Sequence, residues 1–173
     1  MNFLYQHLLK NNFSSDSRVW IYQCNRLFTL EEALEIEVLL ENFTTDWESH
    51  GTVVHGIGYL LFGQFIVLLV DEKVNAISGC STDSSVRFIK EIEQKFAINL
   101  FDRTSLAFIV KDKIEILPLS QFQYAMNNQF LNEDTLYFNN TIQSKKELEE
   151  SWIIPVKNSW LSKKTSAKNS SLI

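Results

Sequence analysis

Phe65-Ile66-Val67-Leu68-Leu69-Val70 is the most apolar run in the chain, and its reading decides the fold. Six residues is the length of a strand, far short of the roughly 20 needed to span a bilayer as a helix. The run is apolar at both parities, as in a strand buried on both faces of its sheet. Just before it, Gly63-Gln64 predicts a tight turn. Residues 52–62 form a second extended stretch, where Gly56 and Gly58 predict a bulge or a close approach of neighbouring chain.

Upstream, residues 18–24 (RVWIYQC) combine aromatic and β-branched types and read as a strand. Thr29, followed three residues later by Glu32, predicts a capped helix start. That helix runs to about Phe43. Its apolar positions (Leu30, Leu34, Ile36, Val38, Leu39, Leu40 and others) predict burial around most of its circumference, with five glutamates as the wet stripe. Residues 2–12 read as a short amphipathic helix. Downstream, residues 71–83 read as a loop, and Thr82 or Asp83 is expected to cap a helix over 84–96. Residues 106–110 and 114–117 predict a hairpin, 120–130 a helix, 134–138 a short strand and 145–150 a helical turn. A final strand-like start at 152–154 is stopped by Pro155.

The order β-α-β-β-α-β predicts an α+β fold of ferredoxin-like type, extended by the N-terminal helix and by a C-terminal hairpin and helix. In that arrangement strands 18–24 and 65–70 are central and both helices cover one face of an antiparallel sheet. The other face is open, and Trp20, Tyr22, Phe65 and Val67 are expected to line it and to pair with a second copy. One domain is expected over residues 1–156, followed by a flexible basic tail over 157–173.

Net charge is −5 over 173 residues, so no basic footprint for nucleic acid exists at whole-chain level. The local exception is the stretch 157–168, with Lys157, Lys163, Lys164 and Lys168 and no acid, which predicts at most a weak, salt-sensitive contact with RNA or the ribosome. Two cysteines without a CxxC pair, and three scattered histidines, predict neither a metal site nor a bound cofactor. The start of the chain lacks a basic segment leading into a long apolar run, so it does not read as a secretory signal. Free thiols and an acidic balance point to the cytoplasm, with no membrane partner.

The chemistry-bearing stretch is Ser78-Gly79-Cys80-Ser81-Thr82-Asp83-Ser84. A helix start presents unpaired N–H groups and partial positive charge, so this polar run is a candidate anion or ligand site. The same field favours the thiolate of Cys80, with His50 or His55 as the base that an activated cysteine needs. Trp47 and His50, in the polar loop Trp47-Glu48-Ser49-His50-Gly51, are candidates to line the same pocket. Against this stands a purely structural reading: Ser, Thr and Asp are the preferred capping residues, and a run of them before a helix follows from capping alone. Asp71 and Glu72 are adjacent and point apart on a strand, which argues against a paired carboxylate site.

The runs VWIYQCNRLFTLEE, DWESHG, FIVLLVDE and ISGCSTDSSVRFIKEIE resemble an uncharacterised family of bacterial proteins from the Bacteroidetes group, as do DTLYFNNTIQSKKELE and WIIPVKNSWL. The resemblance covers nearly the whole chain. Members of that family are often labelled ABC-transporter ATPases, which implies nucleotide hydrolysis. The residues here do not carry that chemistry. A P-loop needs GxxxxGK[ST], whose Lys reaches the terminal phosphates. None of the five glycines is followed by Lys, and after Gly58 and Gly63 stand Gln64 and Phe65. The function expected is therefore a non-catalytic ligand-binding or protein-interaction module. A small enzyme using Cys80 and an RNA- or ribosome-associated protein are the alternatives.

Overall fold

The computed structural model describes residues 3–74 and 78–166. The fold is α+β, with antiparallel sheets and, among the described residues, five α-helices. Its residues divide into two compact units. The first comprises Phe3–Asp102 with Asn140–Glu149, and the second comprises, among the described residues, Arg103–Asn139 with residues 150–166.

The first unit is built on β1 (Arg18–Gln23), β4 (Gly56–Leu61) and β5 (Phe65–Val70), in the order β1-β5-β4. A two-strand hairpin, β2 (Glu48–Ser49) with β3 (Thr52–Val53), precedes β4. Strand β5 is central, and all six of its side chains are fully buried. Each contributes roughly 1.5–3 kcal/mol by leaving water. The turn between β4 and β5 is closed by the Gln64 N–H donating to the Leu61 carbonyl at 3.1 Å. Phe62 and Gly63 both take left-handed backbone there (φ 56° and 62°), one residue earlier than the sequence suggested. That is the twist a tight hairpin needs.

Helices α1 (Leu30–Asp46) and α2 (Gly79–Phe96) lie on one face. Tyr22, Ile66 and Leu68 meet Ile36 and Leu40 of α1 and Phe88, Ile89 and Ile92 of α2. The Phe43 and Phe88 rings stack at 4.1 Å between the helices. Thr29 and Glu32 cap α1 reciprocally, as predicted. The expectation of a largely buried α1 fails: only Ile36 and Leu40 are buried, while Leu30, Leu34 and Val38 are more than half exposed. They project from the side turned away from the sheet.

The ferredoxin-like topology is not what these strands adopt. It needs strands 18–24 and 65–70 parallel at the centre, with 106–110 beside the first. Instead β1 runs antiparallel to β5, with Arg18 opposite Val70 and Gln23 opposite Phe65. Residues 105–110 belong to the other unit's sheet. The sheet face expected to be open is covered among the described residues. Trp20 and Tyr22 sit opposite Leu68 and Ile66 and so point to the helices, whereas Phe65 and Val67 point the other way and are fully buried. On that second side the Phe62 ring touches Phe3, Tyr5 and Phe65, which places the N-terminal segment there. Of the helix expected over 2–12, only a 3-10 turn at Gln6–Leu8 forms, where His7 is exposed.

The outer edge of β1 is covered by the chain's own residues 140–149. The Val19 N–H donates to the Gln143 carbonyl at 2.9 Å, the Lys145 N–H donates to Ser17 at 2.8 Å, and Arg18 bridges Ser144. Asn140 donates to the Gln23 side chain, and the buried Tyr5 hydroxyl donates to the Leu148 carbonyl.

The second unit holds a four-stranded antiparallel sheet: β6 (Ser105–Val110), β7 (Lys113–Pro118), β8 (Leu136–Phe138) and β9 (Ile153–Pro155), in the order β7-β6-β8-β9. The predicted hairpin forms through Lys111 and Asp112, both left-handed. Helix α3 (Phe122–Asn127) sets Phe122 on Phe108 in a core with Leu106, Tyr137, Val156 and Leu161. Of the flexible tail expected over 157–173, residues 157–166 are described and carry defined structure. Leu161 is fully buried, Lys157 Nζ lies 2.6 Å from Asp134, and Ser162–Ser166 is helical. Lys168 lies outside the described residues.

Candidate functional site

The sequence singled out the start of α2, and the structure shows what each polar group there already does. Helix α2 begins at Gly79, five residues before the expected start, because Ser78 caps it. Ser78 Oγ accepts from the Ser81 N–H (3.2 Å), and Ser81 Oγ returns to the Ser78 N–H (2.9 Å). Thr82 donates back to the Ser78 carbonyl (3.2 Å), Ser84 to Ser81 (2.8 Å) and Ser85 to Thr82 (2.7 Å). These are the local side-chain bonds by which Ser and Thr satisfy themselves within a helical turn. Asp83 does not cap the helix and is exposed. Gly79 has open space where a side chain would stand, so nothing there requires a glycine.

Trp47 and the hairpin after it do reach this helix start. The buried Trp47 indole donates to the Ser81 carbonyl at 2.9 Å, and Ser49 Oγ accepts from the Ser78 N–H at 3.2 Å. The contact is a clasp between two elements, with its polar atoms paired internally. His50, at the hairpin tip with φ 52°, is exposed. Cys80 is exposed as well, and among the described residues no side chain hydrogen-bonds it. His55 lies on the opposite face of the sheet from α2, edge-on to the Phe13 ring at 4.5 Å. Cys24 is buried, which pushes its thiol pKa up. The carboxylates diverge as expected: Asp71 is buried and accepts the Ser14 and Lys73 N–H groups at 3.0 Å, while Glu72 faces Arg18 at 3.6 Å. Among the described residues no cluster of three His, Cys, Asp or Glu could hold a metal ion. Nor is any described helix long and apolar enough to cross a membrane.

A different concavity comes from residues the sequence reading left as a glycine pattern. Gly56 and Gly58 face α1. A Cβ on Gly58 would stand 2.7 Å from Leu40 Cδ2 and 3.1 Å from Leu40 Cβ, and one on Gly56 would stand 3.1 Å from the Trp47 ring. The glycines therefore let α1 lie directly on β4, and the strand keeps an unbroken register with β5 rather than a bulge. The helix covers the face of β4 but not its edge. Along that edge runs a groove of about 630 Å³. One bank carries Glu37, Glu41, Thr44 and Thr45 of α1, and the other carries Leu8, Lys10, Asn12 and Phe13.

Backbone alternation fixes which groups line the floor. The Asp71 N–H donates to the His55 carbonyl, so residues 55, 57, 59 and 61 bond inward to β5. Gly58 and Leu60 then direct N–H and C=O outward into the groove, and among the described residues nothing bonds them on that side. The bank opposite α1 is pinned by the Lys10 N–H donating to Tyr59 Oη at 2.9 Å. Burial raises the pKa of that phenol, which stays neutral around pH 7. The acidic bank is uncompensated: Glu32 pairs with Arg26 and Glu35 with Lys95, but Glu37 and Glu41 have no ionic partner among the described residues. The signal available in the sequence was Gly56-x-Gly58 facing a glutamate-rich helix, which marks a close approach without revealing a free edge.

Comparison of the chain with models of known protein families, with curated proteins and with solved structures finds no match in any of the three.

Proposed function

We propose that this chain is a non-catalytic protein-interaction module, working in the cytoplasm, whose binding element is the groove along the outer edge of β4. One observation carries the reading. Among the described residues nothing bonds the outward backbone donors and acceptors of Gly58 and Leu60 at the floor of a concave site, and an open strand edge is a ready template for a further strand. The enzyme alternative has less support. The hydroxyls around Cys80 are occupied inside their own helix, and His55 is on the far side of the sheet. The RNA alternative loses part of its basis as well, since Lys157 is engaged by Asp134. The resemblance to the Bacteroidetes family brings no chemistry into this reading.

The test is a titration of the 15N-labelled protein with an equimolar pool of capped random hexapeptides, followed by amide chemical shifts. Shifts concentrated at Gly56–Leu61 and along the facing side of α1 are the expected result. A response scattered over the surface, or confined to the start of α2, removes the groove as the binding element.

A further inference from the structure

Resting on that reading of the groove, we propose that β4 takes an extended basic segment of a partner protein, added as a strand, with Lys or Arg at alternate positions and apolar residues between them. Two features independent of each other specify this ligand. The first is the backbone. Gly58 and Leu60 offer two N–H and two C=O groups on one side, spaced as every second residue of a strand. A chain laid along them in extended form matches that spacing, and a helix does not.

The second is the chemistry of the banks. Side chains of an added strand point alternately to the two faces of the sheet. On the helix side they meet Glu37 and Glu41, one turn apart on α1 and both exposed. Helix α1 has five glutamates and no Lys or Arg, and these two lack a cation among the described residues. On the other side they meet Leu8 and Phe13, with Lys10 beside them. That lysine disfavours a cation, and the apolar pair favours an aliphatic side chain. The recognised pattern is therefore basic, apolar, basic, apolar. A second copy of this chain fits poorly. Pairing β4 with its symmetry mate about a two-fold axis sets α1 beside α1, and so brings Glu37 and Glu41 up against their own copies.

The full-length protein is titrated with three capped decapeptides: alternating Lys and Val, alternating Glu and Val, and the Lys–Val peptide N-methylated at every second residue. Affinity is read by fluorescence anisotropy, and amide hydrogen exchange is followed at Gly58 and Leu60. The Lys–Val peptide is expected to bind at least about tenfold tighter than the Glu–Val peptide, and to slow exchange at both amides. Methylation is expected to abolish binding. E37Q/E41Q, which alters two exposed side chains, is expected to weaken Lys–Val binding about tenfold and to flatten its dependence on salt. Equal binding of the methylated peptide overturns strand addition, since charge alone then suffices. Equal binding of the Lys–Val and Glu–Val peptides overturns the basic class while leaving the groove as a strand acceptor. If the Lys–Val peptide fails while the random pool shifts Gly56–Leu61, the ligand class proposed here is wrong and the interaction module stands. If both fail, the module falls with it.

Discussion

The sheet of the first unit has two edges, and the chain treats them differently. Along β1 the outward Val19 N–H reaches the Gln143 carbonyl, Arg18 bridges Ser144, and Gln23 holds Asn140. Along β4 nothing among the described residues bonds the equivalent outward groups of Gly58 and Leu60. Natural sheets commonly cover or blunt an edge to prevent unwanted pairing. Here one edge is closed by a return of the chain more than 100 residues later in sequence, and the other is left with its hydrogen-bonding capacity intact. The start of α2 makes the same point from the opposite side. It is richer in polar side chains than the β4 edge, yet its hydroxyls are bonded within the helix. Capacity left unpaired, not the number of polar residues, is what singles out the proposed site.

The strongest way to break the contrast is to displace α1 from β4. Gly58→Val places side-chain atoms where Leu40 now sits, and overpacking of this kind costs typically 1–3 kcal/mol. Urea denaturation is expected to show about 3 kcal/mol of destabilisation. Gly79→Ala, with open space at that position, is expected to be neutral or stabilising by up to about 1 kcal/mol. Next in size, Tyr5→Phe removes the hydroxyl that holds the Leu148 carbonyl, at about 1 kcal/mol. It is also expected to speed amide exchange at Val19, because the return segment loosens. In the unaltered protein Val19 is expected to exchange at least about a hundredfold more slowly than Leu60, read by NMR. Similar rates at the two amides would erase the distinction between the edges.

The two helix caps sharpen the comparison at a smaller scale, because one is ionic and the other is not. Glu32 is held down to about 2, first by the Arg26 guanidinium and then by the Thr29 N–H. A depressed carboxylate contributes stability above its unfolded pKa, near 4.3, and loses it as pH falls toward 2. The first turn of α1 is therefore expected to fray between about pH 4 and 2 in exchange measurements. The first turn of α2, capped by neutral Ser78 and Ser81 hydroxyls, is expected to be insensitive to pH over that window. E32Q is expected to remove the difference. Smallest of all, iodoacetamide is expected to label native Cys80 and spare buried Cys24, and C80S is expected to change stability by less than about 0.5 kcal/mol.

What could be read in the sequence was local. The apolar run at Phe65–Val70, the Thr29–Glu32 cap and the pairing of 106–110 with 114–117 each depend on neighbours within a few residues, and each formed, the last with its turn at Lys111-Asp112 rather than Asp112-Lys113. Pairing over distance was not readable. Nothing in residues 18–24 states that they run antiparallel to 65–70, or that 140–149 returns to close their outer side. The helix over Leu30–Asp46 misled for a related reason: its leucines outnumber the core positions available to it, so Leu30, Leu34 and Val38 remain outside. The polar run at 78–84 was expected as a loop leading into a helix at 84, whereas Ser78 caps a helix that begins at Gly79. Its hydroxyls were taken as free because their partners, the carbonyls of the preceding turn, exist only once the helix has formed.

The return of residues 140–149 has a consequence for how the protein is made. A nascent chain that has emerged only as far as Asp102 holds every strand of the three-stranded sheet, yet it lacks Gln143 and Leu148, whose carbonyls accept from the Val19 amide and the Tyr5 hydroxyl. Until some forty intervening residues of the second unit are synthesised, the outer edge of β1 lacks the cover that residues 140–149 give it. Early release or a stall in that interval would present two sticky margins instead of one.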